Sequence, residues 1–341
     1  MSKLTRVLSI DGGGIRAIIP AQILTALEGK LKKRAGNPDA RLADHFDLIA
    51  GTGTGGLLTC FYLAPQANES GHPRFAAEEV AQVFLKRGAE VYDVPLFHRL
   101  RSIGNREEKY PAGGLQRVID HFIGKMRLSE LLKPCVIPAY DITRRELVFF
   151  RQHQARQRAH FNFQLRDVAR VTSTIPTYFE TPEIEAFDGV TYPLIDGGLM
   201  ANNPAMCAYG EARELFSTRD GERTSEIRDF LVFSLGTGQM NESYPVKKVR
   251  DWNRGQWAQP MYDMAAAGQA ELVDVQLRQL FDAAGASEQY VRLNPPIPLT
   301  NSSAVDDASD GNLRDLRVLG SETAGDHDDV LERVDDKLLS E

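Results

Sequence analysis

Three glycine-rich segments and one aspartate carry the residue types from which a site for nucleophilic chemistry could be built. Gly51-Thr52-Gly53-Thr54-Gly55 keeps the frame of the Gly-x-Ser-x-Gly elbow, a sharp strand-to-helix turn that presents a nucleophile to a carbonyl carbon. Gly51 and Gly55 supply the small residues such a turn needs where its backbones crowd together. The central position is Gly53, so the frame is present and the hydroxyl is not. Gly12-Gly13-Gly14 follows Asp11 at the point where a short apolar run gives way to helical spacing. Without Cβ atoms their N–H groups can turn inward, and a helix N-terminus adds positive dipole, which suits an oxyanion hole. Asp196, ahead of Gly197-Gly198, stands where a general base for a hydroxyl would be wanted. Each segment taken singly also reads as an ordinary turn.

Other chemistries fit these glycines poorly. No Gly-Lys-Ser or Gly-Lys-Thr follows either cluster, so a phosphate-binding loop is not expected. Gly51-x-Gly53-x-x-Gly56 matches a dinucleotide fingerprint in letters only, because Pro65, Asn68 and Gly71-His72-Pro73 stand where the second strand should run. His45, His72, His98, His121, His153, His160 and His327 are scattered outside the motifs and are read as surface or packing residues. Cys60, Cys135 and Cys207 are odd in number and far apart, which fits free thiols in a reducing cytoplasm better than a disulfide framework or a zinc site. No metal site is expected.

The elements that must hold these residues follow from hydrophobic spacing. Val7 to Ile10 and Phe46 to Ala50 read as strands, each running into a glycine cluster and then a helix. Two strand–glycine–helix units within 65 residues predict parallel strands with crossover helices. Cys135–Ala139 and Leu147–Phe150 read as strands about an Arg144-Arg145 turn. Val168 to Pro176 reads as a helix, and Leu194-Ile195 and Phe230–Leu235 as strands ending at glycine. From Pro65 to Pro111 a helix is expected to pass into a polar, mobile excursion, a candidate lid.

Together these segments resemble the patatin-like phospholipase family. Asp11-Gly12-Gly13-Gly14-Ile15-Arg16 is similar to its oxyanion loop, with Arg16 in a supporting place. Gly51-Thr52-Gly53-Thr54-Gly55-Gly56 is similar to its Gly-Thr-Ser-Thr-Gly-Gly elbow with one substitution. Asp196-Gly197-Gly198 with Ala201-Asn202-Asn203-Pro204 resembles the segment of its catalytic aspartate. Thr172 to Phe179, Ser234 to Gly238 and Asp306 to Leu313 extend the likeness along most of the chain. The resemblance implies an α/β, three-layer fold with a mostly parallel central sheet flanked by helices. It also implies one domain over residues 1–341, with a core at about 5–240 and a helical, acidic extension at about 250–341. The implied activity is lipid acyl hydrolysis by a Ser–Asp dyad, with no cofactor and membrane phospholipid as substrate. At Gly53 the implication breaks, leaving two readings: an inactivated variant of an enzyme, or a natural non-catalytic relative that binds lipid or nucleotide.

Charge and composition bound the partners. The chain of 341 residues carries a net charge of −7. Residues 301–341 hold 12 acidic and 4 basic residues, a balance of −8, so the rest sums to about +1. That balance argues against binding a nucleic-acid polymer, and the acidic tail is read as a solvated helical face. No signal peptide or membrane-spanning run is evident, so a cytoplasmic protein that visits membranes is expected. Arg144, Arg145, Arg151, Arg156, Arg158, Arg166 and Arg170 form a cationic stretch that could read phosphate. Similar bacterial proteins include antiphage effectors switched on by cyclic dinucleotides, which makes such an activator, and a homo-oligomer, expectations to examine. The apolar face of Met261–Leu280 and segment 91–103 are the candidates for bilayer contact.

Overall fold

The computed structural model describes residues 4–66, 71–92, 109–216, 218–219, 222–223, 226–240 and 243–340. Its strands are β1 Thr5–Ile10, β2 Leu48–Gly51, β3 Cys135–Asp141, β4 Glu146–Phe150, β5 Glu183–Glu185, β6 Thr191–Asp196, β7 Thr218–Arg219, β8 Glu222–Arg223, β9 Phe230–Leu235 and β10 Tyr290–Leu293. The helices of the N-terminal half are α1 Ile18–Ala35, α2 Leu42–His45, α3 Thr54–Tyr62, α4 Ala77–Val91, α5 Ala112–Phe122, α6 Gln152–Gln157 and α7 Leu165–Thr172. Those of the C-terminal half are α8 Gly198–Ala201, α9 Ala205–Phe216, α10 Val246–Val249, α11 Arg254–Ala283, α12 Asp310–Asp326 and α13 Asp328–Leu339.

The central sheet runs β10-β9-β1-β2-β3-β6-β5, with β4 on the free flank of β3; β7 and β8 form a separate ribbon. From β10 to β3 every pairing is parallel, and β4, β5 and β6 join antiparallel. Both faces are covered, which is why the inner strands are apolar at successive positions rather than at alternate ones. Leu8, Ile10, Ile49, Leu231 and Phe233 pack with α1, α3, α4 and α7 on one face. Val7, Leu48, Phe230 and Val232 pack with α9 and the second half of α11 on the other. The mostly parallel α/β expectation holds, and the lone early proline, Pro20, sits in the first turn of α1 where its missing N–H costs nothing.

Two expectations need correction. The sheet is not finished by residue 240, because β10 pairs with β9 and closes its parallel side. The acidic tail is also more than a solvated face. α12 and α13 pack against α1, whose Lys30 meets Asp328 at 2.7 Å and whose Arg34 meets the fully buried Asp335 at 3.0 Å. Leu313, Leu316, Leu331, Val334 and Leu338 of the tail are buried in the core with α1, and opposite charge at the end of α1 adds to that docking. The candidate lid falls largely outside the described residues: α4 is helical as expected, but 93–108 are not described. Among the described residues no helix is long and apolar enough to cross a membrane.

Candidate active site

Register brings the glycine loops together. Ile10 of β1 lies opposite Gly51 of β2 and Leu235 of β9, so all three strands deliver their loops at one end of the sheet. Asp196 arrives from the other direction. The N–H of Ile49 donates to Pro134 O, and that of Ile142 to Pro193 O. Residues an even number apart in an extended strand direct their polar groups to the same edge. β2 and β6 therefore meet one edge of β3 from opposite directions, and their carboxyl ends face each other. Gly53 and Asp196 converge for that reason.

The elbow has the conformation of a nucleophile turn without the nucleophile. Gly53 holds φ +58° and ψ −129° at the start of α3, a strained region for any residue with a side chain. Space nevertheless exists: a Cβ there would lie 3.4 Å from Gly12 Cα and 3.5 Å from Asp196 Oδ2. Gly51 and Gly55 are different, since a Cβ would fall 2.1 Å from Gly55 O in the first case and 2.4 Å from Ile10 O in the second. Close backbone approach demands glycine at both flanks and not at the tip.

The loop Asp11–Ile15 is held from four sides. Asp11 N–H donates to Leu235 O at 2.9 Å, Gly12 N–H to Asn202 O at 3.0 Å and Ile15 N–H to Val305 O at 2.7 Å, while Thr237 Oγ1 donates to Gly12 O at 2.8 Å. The Gly12 amide is thus already used, which narrows the three expected donors to two. Among the described residues, the N–H groups of Gly13 and Gly14 have no protein acceptor. Beneath the loop, Arg292 of β10 clasps Asp11 with Nη1 to Oδ1 at 3.1 Å and Nη2 to Oδ2 at 2.6 Å, and Nη1 also donates to Ser234 Oγ at 2.7 Å. Burial alone would lower the Arg292 pKa, but the Asp11 charge and hydrogen bonds outweigh it and hold the guanidinium ionised.

Asp196 is 4% exposed. Burial pushes its pKa up to about 7, against the opposing pull of the Gly198 N–H at 3.0 Å from Oδ1 and the Tyr262 hydroxyl at 3.5 Å from Oδ2. Such a carboxyl is ready to take and return a proton near neutrality. Arg16 lies along the same loop, buried, with Nε donating to Gly13 O at 3.3 Å. Burial also lowers its pKa from the usual arginine value.

These groups line one cavity of about 550 Å³, which includes Gly12, Gly13, Gly14, Arg16, Gly53 and Asp196. Among the described residues no histidine lines it. Arg16 Nη1, Thr54 Oγ1, Thr172 Oγ1 and Ser173 Oγ are buried in its wall with no protein hydrogen-bond partner among the described residues. Ordered water or a small shift of these side chains would satisfy such atoms. The cationic stretch 144–170 does not join it. Arg144 pairs with Asp141 at 2.6 Å, Arg151 with Glu211 at 2.7 Å, and Arg156 donates to Ser129 O at 3.0 Å. Sequence reasoning missed Tyr262 and Arg292. Arg292 left one signal, a charge inside the apolar strand Tyr-Val-Arg-Leu; Tyr262 left none, because only folding places it beside Asp196.

Comparison with known proteins shows the family. The pattern of the patatin-like phospholipase family matches residues 8–209. Patatin-like protein 2 of Oryza sativa subsp. indica is 34% identical over 93% of this chain and 83% of its own length. Patatin-like protein 2 of Arabidopsis thaliana is 35% identical over 94% and 82%. A relative from Solanum tuberosum named "Probable inactive patatin-3-Kuras 1" is 31% identical over 92% and 84%. Among solved structures, VipD from Legionella pneumophila aligns over 95% of this chain and 67% of its own, at 10% identity and a TM-score of 0.34, too distant to carry an argument. A family match over more than half of the chain, together with relatives above 30% identity along nearly all of it, places this protein in the patatin-like phospholipase family.

Proposed function

We propose that this scaffold hydrolyses carboxylic esters of membrane lipids when serine occupies position 53, and that the chain with Gly53 binds such esters with little or no turnover. The observation that carries the reading is the 3.5 Å between Asp196 Oδ2 and the Cβ position of residue 53. A serine hydroxyl one bond further on would give its proton to Asp196 while its oxygen attacks the ester carbonyl. The resulting oxyanion would face the Gly13 and Gly14 amides, and the leaving alcohol would recover the proton from Asp196. Water would then repeat the sequence in reverse order to release the fatty acid. Asp196 acts without a histidine because burial already sets its pKa near 7. With Gly53 no acyl-enzyme can form through that residue, and only binding and oxyanion stabilisation remain.

The test is Gly53→Ser, assayed on p-nitrophenyl butyrate and on phospholipid. A gain of at least about 10³-fold over the glycine chain is expected on the ester. A serine protein no faster than the glycine chain would overturn the reading and favour the second one, a binding protein whose cavity holds lipid without chemistry. The cavity of about 550 Å³ has room for an acyl group in either case.

A further inference from the structure

Helix α11 is half core and half overhang. Its buried residues, Ala270, Val273, Leu277 and Phe281, all lie in the second half. The first sixteen residues, 254–269, include no buried side chain, yet only Arg254 and Asp263 among them are charged. A helix exposed to water along four turns ordinarily carries a polar, charged outer face. This one instead presents Met261 at 60% and Met264 at 43% exposure, while Tyr262, Asp263 and Ala266 line the catalytic cavity. The approach to the helix continues the theme. Val246 of α10 is 71% exposed, and Trp252 packs edge-on between Tyr244 and Trp257 with ring centroids 5.7 and 5.1 Å apart.

Charge is concentrated at the same place. Residues 244–261 contain Lys247, Lys248, Arg250 and Arg254 against Asp251, a balance of +3 in a chain of −7. A second cavity of about 530 Å³ opens here, lined by Lys248, Trp252 and Gln256 on one bank and Ser302–Val305 on the other. It shares Tyr178, Met240, Asp263 and Val305 with the catalytic cavity. The basic, aromatic patch therefore stands at the mouth of the passage to Asp196.

We infer that this patch, α10 with the first half of α11, docks the protein onto an anionic phospholipid bilayer. Tryptophan and tyrosine settle at the headgroup level, exposed methionine and valine enter the acyl boundary, and lysine and arginine meet acidic headgroups. The choice of a bilayer over a protein partner rests on the lipid-ester reading above; the exposed apolar surface and its positive charge do not. Of the two bilayer contacts expected from sequence, this inference keeps Met261 and Met264, adds α10 and the tryptophans, and leaves aside 91–103, which falls mostly outside the described residues.

Both tryptophans of the chain lie in the patch, so tryptophan emission, excited selectively over tyrosine, reports on it alone. The full chain with Gly53 should show a blue shift on vesicles of phosphatidylglycerol and phosphatidylcholine, together with quenching by acyl chains brominated near the headgroup. Both signals should weaken with added salt. Lys247→Glu with Arg250→Glu should lower vesicle affinity at least about tenfold. In the Gly53→Ser background the same pair should leave p-nitrophenyl butyrate hydrolysis unchanged, since neither residue lines either cavity. Equal binding by the charge-reversed pair, or equal binding to neutral vesicles, would overturn the inference. So would a blue shift that grows with protein concentration in the absence of lipid, which would assign the patch to a second copy of the chain. Failure of the vesicle test leaves the soluble-ester result standing, and the converse also holds.

Discussion

The floor and the roof of the cavity that holds Gly53 and Asp196 are built under opposite constraints. On the floor, at the ends of β1, β2 and β6, a Cβ on Gly14, Gly51, Gly55 or Gly197 would fall under 3.0 Å from a backbone atom. On the roof, the first half of α11 touches the fold along one side and buries nothing. The floor fixes positions to fractions of an ångström, as proton transfer and charge stabilisation require. The roof leaves Met261 and Met264 in contact with water, as the bilayer contact inferred above would require. Rigidity has been placed where bonds would change and exposure where substrate would enter.

The contrast can be broken, beginning with the largest effect. In a Gly53→Ser background, Asp196→Asn should lower ester hydrolysis by about 10³- to 10⁴-fold at saturating substrate, with little change in KM. A loss below tenfold would remove Asp196 from the chemistry. Arg292→Met should destabilise the fold by about 3–5 kcal/mol in urea titration, because Asp11 would be left buried without its partner. A change below about 1 kcal/mol would show that the loop does not depend on this clasp.

The raised pKa of Asp196 makes a prediction about pH. A carboxyl whose pKa is higher folded than unfolded contributes stability below its unfolded value near 3.8, and that contribution fades as pH rises through about 7. Asp196→Asn should therefore gain on the parent between pH 4 and 7, by up to about 4 kcal/mol for three pH units. A difference between the two proteins that stays flat with pH would mean that Asp196 titrates normally. In the Gly53→Ser protein, turnover should rise through the same range as Asp196 loses its proton.

The smallest effects make the sharpest comparison, since one substitution should change sign between the two regions. Gly55→Ala should cost about 3 kcal/mol, its methyl meeting Ile10 O at 2.4 Å. Gly268→Ala on the roof has no neighbour within 4 Å and should stabilise by about 0.5–1 kcal/mol through helix propensity alone. Destabilisation at Gly268 would mean that the roof is packed more tightly than its exposure indicates.

How much of this was legible in the sequence depended on distance along the chain. The elbow, the glycine loop and the Asp196 turn are local patterns, and each could be read because strand, glycine and helix follow one another directly. Their convergence could not, since the antiparallel entry of β6 on the edge shared with β2 is a matter of register. Tyr262 reaches Asp196 across 66 residues and Arg292 reaches Asp11 across 281, leaving at most an unexpected charge as a trace. The boundary near 240 misled for the same reason: four residues of β10 complete a sheet begun at Thr5. Of the arginine stretch, Arg144, Arg151 and Arg156 meet Asp141, Glu211 and the Ser129 carbonyl, partners that nearness in sequence alone did not indicate.

The clasp between Asp11 and Arg292 carries a consequence for the order of events during synthesis. The strand that anchors the glycine loop lies 281 residues after it, so the ribosome makes it later. Until β10 has emerged and paired with β9, Asp11 has no cation to meet and the glycine loop has lost its lower support. A growing chain can thus assemble most of its sheet while its site stays open and unshaped. Competence would then wait on a single docking step, the pairing of β10 with β9.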